Sequence, residues 1–168
     1  AANPVEAAVS VGTPVEIQTG DLVDDGTEIT YSTYPPTSGP RLAQGAEWGL
    51  HATQLPDEAI VRNLEQGAVI FNHNLTDAAD LETLNSYVEG LPGYPGCYVV
   101  HAYAQVPQGS VTLTSWGWTE TVKPSNRDAM ESFVAQHRNK GPSFLDSTCG
   151  TGGELAARNA ESQGDAAS

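Results

Sequence analysis

Positive charge is scarce in this sequence: 7 Lys and Arg stand against 21 Asp and Glu, for a net charge of −14. A surface of that sign repels nucleic acid phosphates and anionic lipid headgroups, which argues against both as partners. Long apolar runs are missing too. None approaches the roughly 18 residues a membrane span needs, so this chain is not expected to insert directly into a bilayer. The opening AANPVEAAVS has neither the basic start nor the apolar centre of a signal peptide. A mature form left after removal of an upstream signal or anchor would begin this way, which sets the expectation of an extracellular or periplasmic protein.

Sulfur is nearly absent, with 2 Cys and 1 Met. Cys97 and Cys149 lie in no CxxC and in no Cys/His spacing suited to zinc. Cys149 sits in the glycine-rich STCGTGGE, which can fold back toward the strand that begins near Cys97. A bridge closing that loop would stabilise by about 4 kcal/mol in the chain-entropy view and implies an oxidising compartment. Two separate buried thiols are the alternative.

Reaction signatures are lacking as well. Ser38 precedes Gly39 but sits in no GxSxG elbow. Cys97 and His101 would be about 13 Å apart along a strand, too far for proton transfer. STCGTGGE has no lysine to serve a phosphate loop.

What is present is a punctuated order of short elements. Residues 1–14 read as a flexible lead. Val15–Gln18 and Glu28–Tyr31 read as strands around the turn Asp24-Asp25-Gly26. Pro35 to Pro40 must be loop, because three prolines fix φ and remove backbone donors. From Pro56 the stripe Ile60, Val61 and Leu64 predicts a helix ending at Gly67. A fully apolar strand, Ala68–Phe71, follows and ends at His73. Thr76 or Asp77 caps a second helix with Leu81, Leu84, Tyr87 and Val88 inward, and Gly90 ends it. Cys97–Tyr103 and Val111–Trp118 read as a hairpin joined through Pro107–Gly109. Ser125 starts a third helix carrying Met130, Phe133, Val134 and His137, stopped by Gly141-Pro142.

The order predicts an α/β (α+β) domain over 15–145. It has a mixed sheet with a β-α-β unit, a C-terminal hairpin and about three helices, in a loosely thioredoxin-like order without the CxxC. Residues 146–168 read as a mostly disordered polar tail anchored at Cys149. If strands 68–73 and 97–103 are neighbours, His73 and His101 approach and His51 can join them from a loop, giving a copper or zinc site. Single hydrogen-bonded histidines are the other reading. Trp116 and Trp118, two apart on a strand, would share one face. That face is either core or a docking strip.

The stretch YSTYPPTSGP resembles the DUF3105 family, small secreted or membrane-anchored bacterial domains of unassigned function. LPDEAIVRNLEQGAVIF, VTLTSWGW and FVAQHRNKGP are similar to three further family segments, so the likeness runs over residues 17–142. The motif positions are Pro35, Pro36, Thr37, Ser38, Gly39, Pro40, Arg41, Arg62, Glu65, Gln66 and Gly67. The resemblance implies a histidine after PPTSGP and two more, four residues apart, on the following helix, a set suited to a transition metal. Here those positions are Arg41, Arg62 and Gln66. Arginine offers no lone pair and glutamine is a poor ligand, so the implied metal site is degenerate.

Arg41 and Arg62 are then expected either to fork onto Glu65, Glu47 or Asp57 as an ion pair, or to form a small cationic pocket for a carboxylate. The leading expectation is a non-catalytic binding or accessory protein without a cofactor, a subunit of an extracellular assembly with a protein partner. The alternatives are a copper or zinc protein using His51, His73 and His101, and an enzyme of unknown reaction.

Overall fold

Apolar segments buried on both faces must lie inside a sheet, and three of them form the centre of this one. A computed structural model describes residues 11–142. In chain order its elements are β1 (Thr13–Pro14), β2 (Gly49–Leu50), α1 (Asp57–Glu65), β3 (Val69–His73), α2 (Ala78–Glu89), β4 (Tyr98–Ala102), β5 (Val111–Ser115), β6 (Trp118–Val122) and α3 (Arg127–His137). The six strands make one mixed sheet in the order β1-β6-β5-β3-β4-β2. β3 is parallel to β4 and antiparallel to β5, so β3-α2-β4 is the β-α-β unit and the protein is α+β.

Two cores follow from strand alternation. Val69, Phe71, Tyr98, Val100, Val111 and Leu113 face α2 and α3, where they meet Leu84, Tyr87, Met130 and Phe133. Ile70 and Val99 face the other way and meet Ile60, Val61 and Leu64 of α1, with Tyr31 from the proline-rich region. The site of interest lies on this α1 face.

Several local expectations change. Val15–Gln18 and Glu28–Tyr31 are not strands, and Leu22 instead makes an isolated parallel bridge with Arg41. β1 falls within the stretch expected to be a lead. Its Thr13 and Pro14 pair with Thr119 and Trp118. Asn126, not Ser125, caps α3, accepting from the Ala129 amide at 3.2 Å. Asp77 caps α2.

The expected hairpin between 97–103 and 111–118 does not form, because β3 lies between β4 and β5. The connection is held open by Asn74. Its backbone carbonyl accepts from Gly109 (2.8 Å) and its side-chain amide donates to Val106 O (2.8 Å). The real hairpin is β5–β6. It reverses at Trp116-Gly117, where Gly117 takes φ +79°, a conformation that glycine adopts without penalty. The expected tail and Cys149 lie outside the described residues. Cys97 is not a free thiol.

Candidate functional site

The proline-rich loop is a buried structural element. Pro35 through Gly39 are all buried, so their polar backbone must be paired inside the protein. Tyr31 Oη donates to Pro40 O at 2.6 Å, while Tyr34 Oη accepts from the Tyr31 amide at 3.1 Å. Ser38 Oγ accepts from Gln18 N at 2.7 Å. Gly39 has φ +127°, and a Cβ there would stand 2.9 Å from the Tyr31 ring. Thus the loop clasps Tyr31, and Arg41 leaves it in a fixed direction.

Arg41 Nη1 donates to Gly20 O at 2.6 Å, and its Nη2 lies 2.6 Å from Glu65 Oε2. Arg62, one turn earlier on α1, bonds the other oxygen, Glu65 Oε1. One buried carboxylate therefore bridges two arginines, one from the loop and one from the helix. Burial pushes the Glu65 carboxyl upward, but hydrogen bonds and charge from Arg41 and Arg62 outweigh this and hold it below the ordinary glutamate range. Two guanidiniums against one carboxylate leave one net positive charge, and the Nε atoms of both arginines are buried without a partner. Of the acids named as partners from sequence, Glu65 is the one engaged. Asp57 instead accepts from Tyr103 Oη at 3.0 Å, and burial raises its carboxyl.

Gln66 is the C-cap of α1, its backbone N–H bonded to Arg62 O and Asn63 O. Gly67 follows with φ +99°, and its carbonyl accepts from Asn139 N at 2.9 Å. A Cβ on Gly67 would stand 2.9 Å from Asn139 Cα. Gly67→Ala should therefore destabilise by about 1–3 kcal/mol. Urea unfolding checks this, with a lower midpoint and an unchanged slope expected.

The three histidines do not form the shared site that strand adjacency suggested. The register pairs Asn72 with His101 and His73 with Ala102, so His73 and His101 point to opposite faces. Each is already engaged. His101 is fully buried, and its Nδ1 accepts from Leu55 N at 3.0 Å. That places the proton on Nε2, which donates to Asn72 Oδ1 at 2.7 Å. Asn72 Nδ2 passes the chain on to Thr112 O (2.8 Å) and Thr114 Oγ1 (3.1 Å). Burial, helped by the neighbouring His73 and His51, pushes the His101 imidazole down to about 4. His73 Nδ1 accepts from Leu75 N at 3.3 Å, and burial lowers its pKa. His51 Nε2 donates to Glu47 O at 2.7 Å. Among the described residues, no group of three or more His, Cys, Asp or Glu side chains is placed to hold a metal ion.

The tryptophans also separate. Trp116 packs with the α1-side core, whereas Trp118 packs with the α3-side core and stacks on His137 at 4.6 Å between centroids. A chain reversal between them turns them apart, and no common aromatic face exists. Sequence reasoning missed Asn72, whose signal was a lone amide in an otherwise apolar run. It also missed the Tyr103–Asp57 bond, which no spacing announces.

Together these features define a small α+β domain in which a buried proline-rich loop is locked to a helix by an Arg-Glu-Arg cluster, beside a buried imidazole–amide network. The family model described as "Protein of unknown function (DUF3105)" matches residues 22–149, and the chain belongs to that family. No curated protein and no solved structure matches it. Among the described residues, no helix is long and apolar enough to cross a membrane.

Proposed function

We propose that this protein is a non-catalytic binding or accessory domain of an extracellular or periplasmic assembly, acting through its acidic surface on a protein partner. The observation that carries the reading is the Arg41–Glu65–Arg62 cluster. At two of the positions where the family resemblance puts imidazoles, the side chains are consumed by a buried carboxylate and serve to clamp loop to helix. Groups already paired and buried are poor candidates for acid–base or ligand exchange work, because freeing them costs their full desolvation. The excess of 21 acids over 7 bases favours a partner with a basic face and an association that weakens with salt. A bridge between Cys97 and Cys149 belongs to this reading, with mass measurement before and after reduction as its direct check.

The test uses protein purified without an affinity tag and titrated with Cu and Zn. The accessory reading expects no stoichiometric binding in the parent chain. Tight one-to-one binding that is lost in His73→Ala and His101→Ala would sink it in favour of a metal protein. Light scattering completes the experiment, since a defined oligomer or a co-purifying subunit is what an assembly component should give.

A further inference from the structure

Positive charges are few enough here to be traced one by one. Of the seven, Arg41 and Arg62 are taken up by Glu65, and Lys123 reaches Ser110 Oγ at 3.3 Å. The other three in the described residues, Arg127, Arg138 and Lys140, all border two clefts on the α2/α3 side that share Tyr87. Arg127 is offset by Glu131 at 3.6 Å. Arg138 and Lys140 form no salt bridge among the described residues. On so acidic a chain, two neighbouring cations with no ion pair among the described residues stand out.

They border a cleft of about 510 Å³ lined on its apolar side by Leu91, Val134 and the rings of Tyr87 and Tyr98, with Asn139 and Glu131 as its other polar members, Glu131 being the acid that pairs with Arg127. That volume suits a small molecule and not a macromolecular face. Arg138 is preset for a ligand. Its Nη1 donates to Pro92 O (2.9 Å) and Tyr98 Oη (2.7 Å), and the guanidinium lies 6.0 Å from the Tyr98 ring centroid. One edge of the fork is thereby pinned. Tyr87, which lines both clefts, is 8% exposed, and its hydroxyl is buried with no hydrogen-bond partner. A cation just past the end of α3 is favoured by the helix dipole. The dipole does not account for the apolar lining or the orphaned hydroxyl.

We propose that this cleft binds a small organic anion with an apolar body, a monocarboxylate held by Arg138 and Lys140 with its hydrocarbon part against Leu91, Val134, Tyr87 and Tyr98. A single negative charge fits best. One pinned guanidinium and one exposed ammonium can neutralise it, and the net charge of −14 penalises polyanions on approach. The cleft lies on the α2/α3 side of the sheet and the proposal stands independently of the accessory-protein reading, while Asn139 on its rim donates to Gly67 O just past the end of α1.

The experiment titrates the full chain with octanoate and with its neutral analogue octanamide, followed by calorimetry and by amide chemical shifts. Octanoate should move the amides of residues 91 and 134–140 and bind at least about tenfold more tightly than octanamide, since a charge-assisted contact is at stake. Lys140→Gln, at an exposed position, should weaken octanoate several-fold. Ala135→Trp, on the exposed side of α3, should fill the cleft and abolish binding while leaving the thermal midpoint in place. No response at about 1 mM octanoate, equal affinity for the amide, or binding untouched by both substitutions would overturn the proposal.

Discussion

Glu65→Gln should be the most damaging conservative change in this protein, lowering stability by about 3–5 kcal/mol. The amide removes the one negative charge between Arg41 and Arg62, whose side chains are only 16% and 25% exposed. Two like charges then share a pocket in which water can restore little of the lost solvation, and the loop that ends at Arg41 loses its attachment to α1. Removing all three charges together tests the cause. Arg41→Met with Glu65→Leu and Arg62→Met should recover most of the loss, because a buried ion cluster costs in desolvation much of what it returns in attraction. The Arg41–Gly20 hydrogen bond would still be missing, at about 1 kcal/mol. Urea unfolding at neutral pH compares the three chains: parent, Glu65→Gln and the triple variant. A Glu65→Gln protein within about 0.5 kcal/mol of the parent would show that solvent already screens the cluster, and the clamp would then be no part of the fold's stability.

Mild acid should destabilise this protein well before its surface carboxylates titrate. The His101 imidazole titrates near 6.5 in the unfolded chain but at about 4 when folded. Above 6.5 both states are neutral and the group contributes nothing. As the pH falls from 6.5 toward 4, the unfolded chain takes up a proton that the folded protein refuses, and stability drops with each unit, reaching about 3 kcal/mol in total. His73 and His137, both lowered chiefly by burial, act in the same direction. Below the ordinary glutamate value of 4.5, Glu65 adds to the loss. Its folded pKa is depressed, so its stabilisation is present above that value and disappears as the carboxylate is protonated. Unfolding midpoints measured from pH 7 to 4 should therefore slope downward early, and His101→Asn should flatten part of that slope. A plateau down to pH 5, or an imidazole seen by NMR to protonate near 6.5 in the folded protein, would contradict the neutral, doubly bonded His101.

Much of the fold could be read from the chain, and the reasons lie in particular residues. Ile60, Val61 and Leu64 fixed α1 by their spacing, Gly67 marked its end, and the run into Phe71 could only be a buried strand. Arg41, Arg62 and Glu65 could be named as a possible ion pair because two cations in family motif positions need an acid within reach. The choice of Glu65 over Glu47 and Asp57 was not legible, since it depends on where the loop delivers Arg41. The hairpin was misplaced because two apolar strands separated by a short polar link pair locally on paper. Here Asn74 holds the link apart and lets β3 come between them.

From the chain alone came the acidic surface, the order of helices and strands, and the family to which the motifs point, because each depends on composition or on neighbours a few residues apart. Only the folded protein settled which acid compensates the arginines, that His73 and His101 face opposite sides, and that Arg138 and Lys140 meet an apolar cleft. Those outcomes rest on strand register and on contacts across scores of residues. A shift of one position along β4 would reverse every side chain, and no local pattern records which register is taken.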